Sequence, residues 1–371
     1  MASQVAQVST ATKSMRYCNQ ILKRVVILVA PLIIAALALS FRDGRWDNLK
    51  VSRTSSNDDA VHADVKSPSF VVQSLTGKGK GLIATRNIQR GELLIREAPL
   101  FIVPHTVSSS PAELILNMVR GLSPEQSEAF YNLSYVHLHP GLRPEVRAAN
   151  VPLAIFQTNA VAAGSGVGLF PNMARLNHGC SFAFNVVYSW REDKGVLMVY
   201  ALKDIRKGEE LLTTYTDTKR SRDERRDFLK QTYDFECTCA CCALGPEESQ
   251  ASDGRLSRMR ELYQRLASWG HGGIDGKEAI RIVREIWAVG SAEGYTSERG
   301  QLAADAATVA CAHADARAGR EWARKAEKWG RIELGAESVL VSSALETAAS
   351  PWGHRMWGTR GEMTVGGPIE P

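Results

Sequence analysis

Four cysteines within six residues constrain this chain more than any other feature. They form the stretch "CTCACC" from Cys237 to Cys242, in a chain of 371 residues that has seven cysteines in all. Thiols at this spacing are poorly placed to bridge one another and well placed to hold a metal ion, for which zinc is the expected metal. The fold must therefore bring a complete ligand set to this segment.

Three of these cysteines, Cys237, Cys239 and Cys242, follow the pattern Cys-x-Cys-x-x-Cys, but a closed structural zinc site needs four ligands. The local candidates for the fourth ligand are Cys241 and Cys180. Adjacent cysteines rarely direct both thiolates at one ion with sound geometry, so Cys180 is the better partner. This choice brings "ARLNHGCSFAFN" (174–185) against the cysteine cluster.

The composition is that of a globular protein, with 44% hydrophobic and 23% charged residues. The length suits two lobes with appendages better than a single domain. The net charge of +5 is mild, and no basic run with interleaved aromatic residues is present. We therefore expect no direct nucleic-acid binding.

An apolar run, "VVILVAPLIIAALAL", lies near the beginning of the chain at residues 25–39 and reaches 25–41 with Ser40 and Phe41. Three interpretations stay open: a single membrane anchor, a cleaved signal or organelle presequence, and a buried helix. Basic residues flank both sides, so charge does not fix an orientation. The localisation prediction is a single-pass membrane anchor or, without one, a cytoplasmic or nuclear protein.

Short β-like runs and helical segments alternate along the rest of the chain. "FVVQSL" (70–75) precedes the glycine cluster, residues 111–138 read as helical, and "FNVVYSW" (184–190) and "VLMVYAL" (196–202) read as paired strands. After Gly245, apolar residues recur at helical spacing in four segments, which suggests stacked helical hairpins.

Two further motifs contain residues that could bind a ligand or take part in a reaction. "GKGKG" (77–81) follows a strand and lacks both the P-loop ending and the helix that a dinucleotide fingerprint needs, so by itself it indicates a turn. "RKGEELLTTYTD" (206–217) ends a strand on Tyr215, whose phenol can donate or accept a hydrogen bond at a reacting centre.

The order of these motifs resembles the SET-domain protein lysine methyltransferases. The order is a glycine loop, Asn-His-x-Cys, Gly-Glu-Glu-Leu-x-x-x-Tyr and Cys-x-Cys-x-x-Cys. The likeness is strongest to the fungal, SET-and-MYND-like branch, without its MYND module, and it covers about residues 68–243. It implies an α+β fold: a SET-type β-fold of several small sheets with a knot-like crossing, a zinc-bound post-SET segment and an all-α helical C-terminal lobe.

The resemblance also implies roles for individual residues. It assigns cofactor contacts with S-adenosylmethionine to Gly77, Lys78, Gly79, Asn159, Asn177, His178, Tyr215 and Phe235. It makes Tyr215 the residue at the methyl-transfer centre, and it makes Cys180, Cys237, Cys239 and Cys242 the ligands of a structural zinc. Lys80 replaces a usually apolar residue, and we expect its side chain to face solvent.

The implied function is methyl transfer to a lysine side chain of a protein substrate, histone or non-histone. Gly179 stands where the family usually has serine, and "SFAFN" (181–185) is longer than the usual segment and lacks its proline. The alternative is therefore a catalytically degenerate domain that serves as a peptide-binding scaffold. A zinc hydrolase is a weaker third idea, because all ligands are thiolates with no open position.

The resulting division of the chain is predicted as follows: a basic N-terminal tail (1–21), an apolar segment (22–42), a linker (43–66), a SET domain (67–218), a post-SET zinc segment (219–243), a helical hairpin lobe (250–349) and a flexible tail (350–371).

Overall fold

The computed structural model describes residues 68–107, 110–138 and 141–369. The apolar run at 25–41, the basic tail and the linker lie outside these residues. Within the described part of the chain, no helix combines the length and the apolar character needed to cross a bilayer.

In the part of the chain that the structure describes, ten short strands make up four small sheets. The strands are β1 (Phe70–Leu75), β2 (Gly79–Ala84), β3 (Leu93–Glu97), β4 (Ile102–Pro104), β5 (Val161–Ala163), β6 (Gly166–Gly168), β7 (Asn177–His178), β8 (Val186–Arg191), β9 (Val196–Ala201) and β10 (Leu212–Thr213). The antiparallel sheets are β1-β2, β3-β9-β8 and β4-β6-β5, whereas β10 and β7 pair in parallel. Their apolar faces share one core, which includes Leu82, Phe170, Leu197 and Val199.

Nine helices occur in the described residues: α1 (Pro111–Arg120), α2 (Pro124–Tyr131), α3 (Pro144–Asn159), α4 (Arg222–Tyr233), α5 (Pro246–Ala267), α6 (Gly276–Glu293), α7 (Arg299–Ala312), α8 (Ala316–Leu334) and α9 (Val339–Ala349). Local capping interactions help to set the ends of these helices. In α4, the Ser221 hydroxyl accepts from the backbone N–H of Glu224, and the Glu224 carboxylate accepts from the N–H of Ser221, which is a capping box.

The C-terminal helices α5 to α9 bury a second core around Trp322, Ile280 and Ala306. Because α8 packs against strands β8 and β9, this lobe is joined directly to the β-rich part. The prediction of small sheets followed by a helical C-terminal region is confirmed. The apolar spacing indicated four helices; the fifth, α9, was missed because "VLVSSALETAA" lacks a clear polar face.

The segment after α9, predicted to be a flexible tail, makes hydrogen bonds to the helical lobe as far as Gly367. The Trp322 indole Nε1 donates to the Gly366 carbonyl at 3.1 Å, and Asp315 Oδ2 accepts from the backbone N–H of Val365 at 2.9 Å. The glycines and prolines of this segment suggested looseness, but they also let the backbone follow the helix surface closely enough for these bonds.

Candidate active site and cysteine cluster

A parallel pair of very short strands lies at the centre of the candidate site. β7 contains Asn177 and His178 and pairs with Leu212 and Thr213 of β10. The Asn185 side chain reinforces this crossing, because its Nδ2 donates to the Glu210 carbonyl at 2.9 Å and its Oδ1 accepts from Leu212 N at 2.8 Å. Two segments more than thirty residues apart in sequence are thereby held together.

Four buried cysteines converge on one point next to this crossing. The Sγ atoms of Cys180, Cys237, Cys239 and Cys242 all lie within 4.8 Å of one another, and those of Cys180 and Cys242 are 3.6 Å apart. Four thiolates at about 2.3 Å from a tetrahedral zinc would be separated by about 3.8 Å. The donor set therefore fits a closed zinc site with four cysteine ligands, in the combination predicted from the sequence.

Cys241 is directed away from this group. The Arg225 Nη2 donates to the Cys241 Sγ at 3.5 Å, and Arg225 also reaches the Arg220 carbonyl and Asp253. This guanidinium sits on α4 beside the cysteine segment, is almost fully buried and brings positive charge close to the thiol cluster. The choice of Cys180 over Cys241 thus agrees with the geometry.

His178 joins the cysteine cluster to the neighbouring tyrosine. Its Nδ1 accepts from the Tyr215 backbone N–H at 2.9 Å, so a neutral ring carries its proton on Nε2, which lies 3.0 Å from Cys180 Sγ. Burial lowers the pKa of His178 to about 4, which keeps the ring neutral at pH 7. The imidazole therefore donates a hydrogen bond to the sulfur of one cluster member.

An aromatic group surrounds Tyr215. Its ring centroid is 5.3 Å from that of His178, 5.0 Å from that of Tyr233 and 6.5 Å from that of Phe235. The Tyr215 hydroxyl donates to the Leu176 carbonyl at 2.5 Å, and burial raises the pKa of this phenol. The second phenol, Tyr233, was not singled out from the sequence, although it stands only two residues before Phe235.

The glycine loop is the turn between β1 and β2. Gly77 and Gly79 have φ values of +74° and +72°, a conformation that side chains with a Cβ rarely adopt. Gly81 is needed for a different reason: a Cβ there would lie 2.6 Å from Leu75 Cδ1 and 2.8 Å from Asn177 Nδ2. This close approach brings the loop against the Asn177 side chain.

Glu210 links the loop to β7 and was missed as an individual site residue. Its carboxylate accepts from Lys78 Nζ at 2.7 Å and from Asn177 Nδ2 at 2.8 Å. Asn159 lies at the end of α3, where its Nδ2 donates to the carbonyls of Ser134 and Ile155, both at 2.7 Å. Asn159 is thereby linked to Ser134, whose Oγ is 4.0 Å from an ideal Cβ at Gly79 in the loop.

The unusual segment after Cys180 folds back on itself. A Cβ at Gly179 would lie 2.9 Å from Phe184 N, so a serine in this position would clash with the backbone. Ser181 has a φ of +41°, a strained conformation for a residue with a side chain. Its Oγ donates to Glu293 Oε1 at 2.8 Å. The glycine at position 179 and the longer segment 181–185 therefore depend on each other, because the segment lies too close to position 179 for a residue with a side chain.

The helical lobe contributes to the site through the junction of α6 and α7. The fully buried Glu293 carboxylate accepts from Ser181 Oγ, from Ser252 Oγ at 2.6 Å and from Arg255 Nε at 2.8 Å. Five residues further on, Glu298 accepts from Lys219 Nζ at 2.8 Å. Ser181 follows Cys180 and Lys219 lies shortly after Tyr215, so one junction holds both segments.

Comparison of the sequence with known proteins shows which families and proteins this chain is similar to. Residues 79–216 match the family model described as the SET domain. Histone-lysine N-methyltransferase set5 of Schizosaccharomyces pombe is 26% identical over 292 residues, which cover 77% of this chain and 86% of that protein. The mouse (Mus musculus) histone-lysine N-methyltransferase SMYD3 is 32% identical over 108 residues, or 29% of this chain and 24% of that protein.

A SET and MYND domain-containing protein of Dictyostelium discoideum is 36% identical over 89 residues, which are 24% of this chain and 15% of that protein. The chain thus spans about a quarter or less of the mouse and Dictyostelium relatives, and most of the length of the Schizosaccharomyces pombe protein.

Proposed function

Because this chain carries a SET domain, we propose that it transfers the methyl group of S-adenosylmethionine to a lysine side chain of a protein. The observation that carries the proposal is the meeting of the Asn177–His178 strand, Tyr215 and the four-cysteine cluster at one parallel strand crossing. The knot-like character of this crossing and the post-SET role of residues 219–243 belong to the same proposal.

The cofactor supplies a methyl group that is already electrophilic, so the protein has mainly to bind and align its two substrates. We assign the binding to the Gly77–Gly79 turn, Asn177, His178 and Phe235, with Asn159 at the periphery. Asn177 Nδ2 donates to Glu210 Oε1 at 2.8 Å and to the Lys80 carbonyl at 3.4 Å, so we assign Oδ1 to accept an N–H of the ligand. Glu210 would thereby fix the orientation of the amide.

Tyr215 is assigned to orient the lysine amine. Its hydroxyl proton is committed to the Leu176 carbonyl, so its oxygen can accept a hydrogen bond from the amine. Since burial raises the pKa of Tyr215, the phenol stays protonated at pH 7 and is not a general base. Entry of lysine among the rings of Tyr215, Tyr233 and Phe235 would itself favour loss of the amine proton by desolvation.

Zinc is assigned a structural role at Cys180, Cys237, Cys239 and Cys242. Four thiolate ligands leave no open position for a substrate or for a metal-bound water, which argues against a zinc hydrolase. By tying residues 237–242 to Cys180, the ion would hold Phe235 beside His178, whose ring centroid is 6.3 Å away. Such a site requires reduced thiols, which fits the cytosol or nucleus.

The scaffold alternative rests on the departures at residues 179–185. Two sets of contacts support an intact site. The Asn185 side chain hydrogen-bonds to the backbone of Glu210 and Leu212 at the strand crossing, and Glu293 accepts a hydrogen bond from Ser181 in the altered segment. Because the fission-yeast relative is named a histone-lysine methyltransferase, a histone lysine is the first substrate to test for this chain.

The test is methyl transfer by the purified, zinc-loaded full chain. We expect label from S-adenosylmethionine with an isotopically labelled methyl group to appear on lysine in core histones or a protein extract, as read by peptide mass spectrometry. Tyr215→Phe should lower the transfer rate by about a hundredfold while leaving cofactor affinity unchanged, because it removes the hydroxyl, with its contacts to the amine and to the Leu176 carbonyl, but keeps the ring in place. Undiminished transfer by this variant would refute the role of Tyr215.

A further inference from the structure

Residues 358–367, called here the C-terminal segment, lie in a groove of the helical lobe. They follow α9 and form neither helix nor strand. The groove is lined by the end of α7, by the loop from α7 to α8, and by residues of α6, of α8 and of the turn after α5. None of the residues proposed above to hold the cofactor, the substrate lysine or zinc belongs to the segment or to this lining.

The end of α7 binds the backbone of the segment. The N–H groups of Gly358, Arg360 and Met363 donate to the carbonyls of three successive residues, 311–313, at 2.9–3.1 Å. The last carbonyls of a helix have no partner in the helix itself, so the segment supplies donors that these groups need. His313 adds a bond from its side chain, whose Nδ1 donates to the Gly361 carbonyl at 2.7 Å.

Side chains of the groove bind the rest of the segment backbone. Asp315 Oδ2 accepts from the N–H groups of Val365 and Gly366 at 2.9 and 3.2 Å. Trp322 Nε1 donates to the Gly366 carbonyl at 3.1 Å. Because every peptide group carries the same carbonyl, and all but proline the same N–H, these bonds recognise the path of a backbone and do not require a particular side chain.

Two glycines near the end of the segment restrict which sequences fit. Gly366 has a φ of +88°, and a Cβ there would lie 2.8 Å from Arg284 Nη2. A Cβ at Gly367 would overlap the Glu321 carboxylate. Arg284 Nε also donates to the Gly367 carbonyl at 3.1 Å. The groove therefore favours a pair of glycines at this point.

Three side chains anchor the segment. The Arg360 guanidinium lies over the Trp269 ring, 4.2 Å from its centroid, and Arg360 Nη2 donates to the Trp269 carbonyl at 2.7 Å. Val365 is 6% exposed and belongs to the core of the helical lobe, and the partly buried Met363 packs against the same core. The contacts thus define a pattern: an arginine, apolar residues three and five positions later, and two glycines directly after the second apolar residue.

The segment has few buried side chains compared with the helices beneath it. Val365 alone among residues 358–367 is buried, so the segment removes little apolar surface from water. A segment of this kind can leave its groove at a smaller free-energy cost than unfolding of the helices requires. The Asp315 carboxylate, the Trp322 indole, the Arg284 guanidinium and the carbonyls at 311–313 belong to helices and their caps, and they would then need new peptide partners.

We propose that this groove is a peptide-binding site that the chain's own C-terminal segment occupies, and that it takes a peptide of the same pattern from a partner protein when the segment leaves. The partner peptide carries an arginine, two apolar residues and a pair of glycines at the spacing given above. The site does not depend on methyl transfer, and it persists whether or not the chain proves to be an active methyltransferase.

The experiment is a fluorescence anisotropy titration of a labelled peptide, with the sequence of residues 356–369, against the full chain. In the wild type the attached segment competes with the peptide, and we expect weak binding. Val365→Asp in the full chain puts a carboxylate into an apolar core beside Asp315, which should expel the attached segment. Because the apparent affinity rises with the fraction of open groove, this variant should bind the peptide at least about tenfold more tightly than the wild type.

Matched variants test the individual contacts. Adding Arg284→Met to Val365→Asp removes the charged donor to the Gly367 carbonyl and should weaken peptide binding about tenfold. Adding Arg281→Met instead removes an exposed arginine of the same helix, whose partners are Glu278 and Glu285, and should leave the affinity unchanged. A labelled peptide with the Val365→Asp change should bind none of these proteins.

Arg360→Ala in the full chain loosens the segment in a second way, because it removes the contact with Trp269 without placing a charge in the core. It should also raise the peptide affinity, and it decides the test alone if circular dichroism shows that Val365→Asp has lost its helices. Equal peptide binding by the wild type and by both variants, or by the one that folds, would overturn the proposal. Equal binding of the peptide with the Val365→Asp change would overturn it as well.

Discussion

Glu293 offers a sharp test of whether the helical lobe supports the candidate site. Its carboxylate is inaccessible to solvent and accepts three hydrogen bonds, from Ser181, Ser252 and Arg255. Glu293→Gln keeps the size of the side chain but removes the charge, and it replaces one acceptor oxygen by an amide N–H₂ that cannot accept the hydrogen bond made at that position. Hydrogen bonds to a charged group contribute about 1.5–3 kcal/mol each, so we expect a loss of about 2–3 kcal/mol in the free energy of unfolding.

A matched control lies on the same helix. Glu285 also accepts from arginines, Arg258 and Arg281, but both guanidinium groups are about half exposed. Glu285→Gln should therefore cost less than about 1 kcal/mol. Urea unfolding of the wild type and the two variants gives the comparison directly.

The position of Ser181 next to Cys180 adds a second readout. Loss of the Glu293 contact should release zinc to a chelator roughly tenfold faster, the lower end of the effects seen for groups that support metal ligands. Ser181→Ala combined with Glu293→Gln should be non-additive by about 0.5–3 kcal/mol, since the two side chains share one contact. Wild-type stability and wild-type zinc release in Glu293→Gln would refute the coupling between the lobe and the site.

Two other predictions follow from buried groups. Elemental analysis should find one zinc per chain in the wild type and in Cys241→Ser, whose thiol faces Arg225, but a marked loss in Cys180→Ser; unchanged zinc in Cys180→Ser would exclude that ligand. Burial raises the pKa of Glu333 in α8 to about 8, above about 4.3 in the unfolded chain, so the folded state holds a proton there that the unfolded state has lost. Between pH 6 and 8 this should make stability fall with rising pH by about 1 kcal/mol per unit more in the wild type than in Glu333→Gln, and equal slopes in urea unfolding would contradict it.

Much of the fold and of the candidate site could be predicted, because the sequence patterns that indicate them lie within short segments. Cysteine spacing indicated the metal cluster, and the poor geometry of using both Cys241 and Cys242 pointed to Cys180. Strand patterns such as "FVVQSL" gave β1 correctly, since alternation and the glycines that follow it are properties of a short segment. The motif order then implied Tyr215, Asn177 and His178.

The supporting contacts could not be predicted, because they join residues far apart without a local pattern. Ser181 and Glu293 are 112 residues apart, and Lys78 and Glu210 are 132 apart. Nothing near Glu293 in sequence distinguishes it from Glu278 and Glu285, the partly exposed carboxylates of α6. Lys80, predicted to face solvent, is partly exposed, and its bond from Nζ to Asn132 Oδ1 joins residues 52 apart that no local pattern connects.

Calorimetric titration of S-adenosylmethionine into the purified, zinc-loaded full chain tests the central assignment most directly. We predict one saturable site per chain, preserved in Tyr215→Phe and weakened at least about tenfold in Asn177→Ala, which loses the amide assigned to the ligand. No saturable heat at millimolar cofactor would contradict the methyltransferase assignment and favour a scaffold.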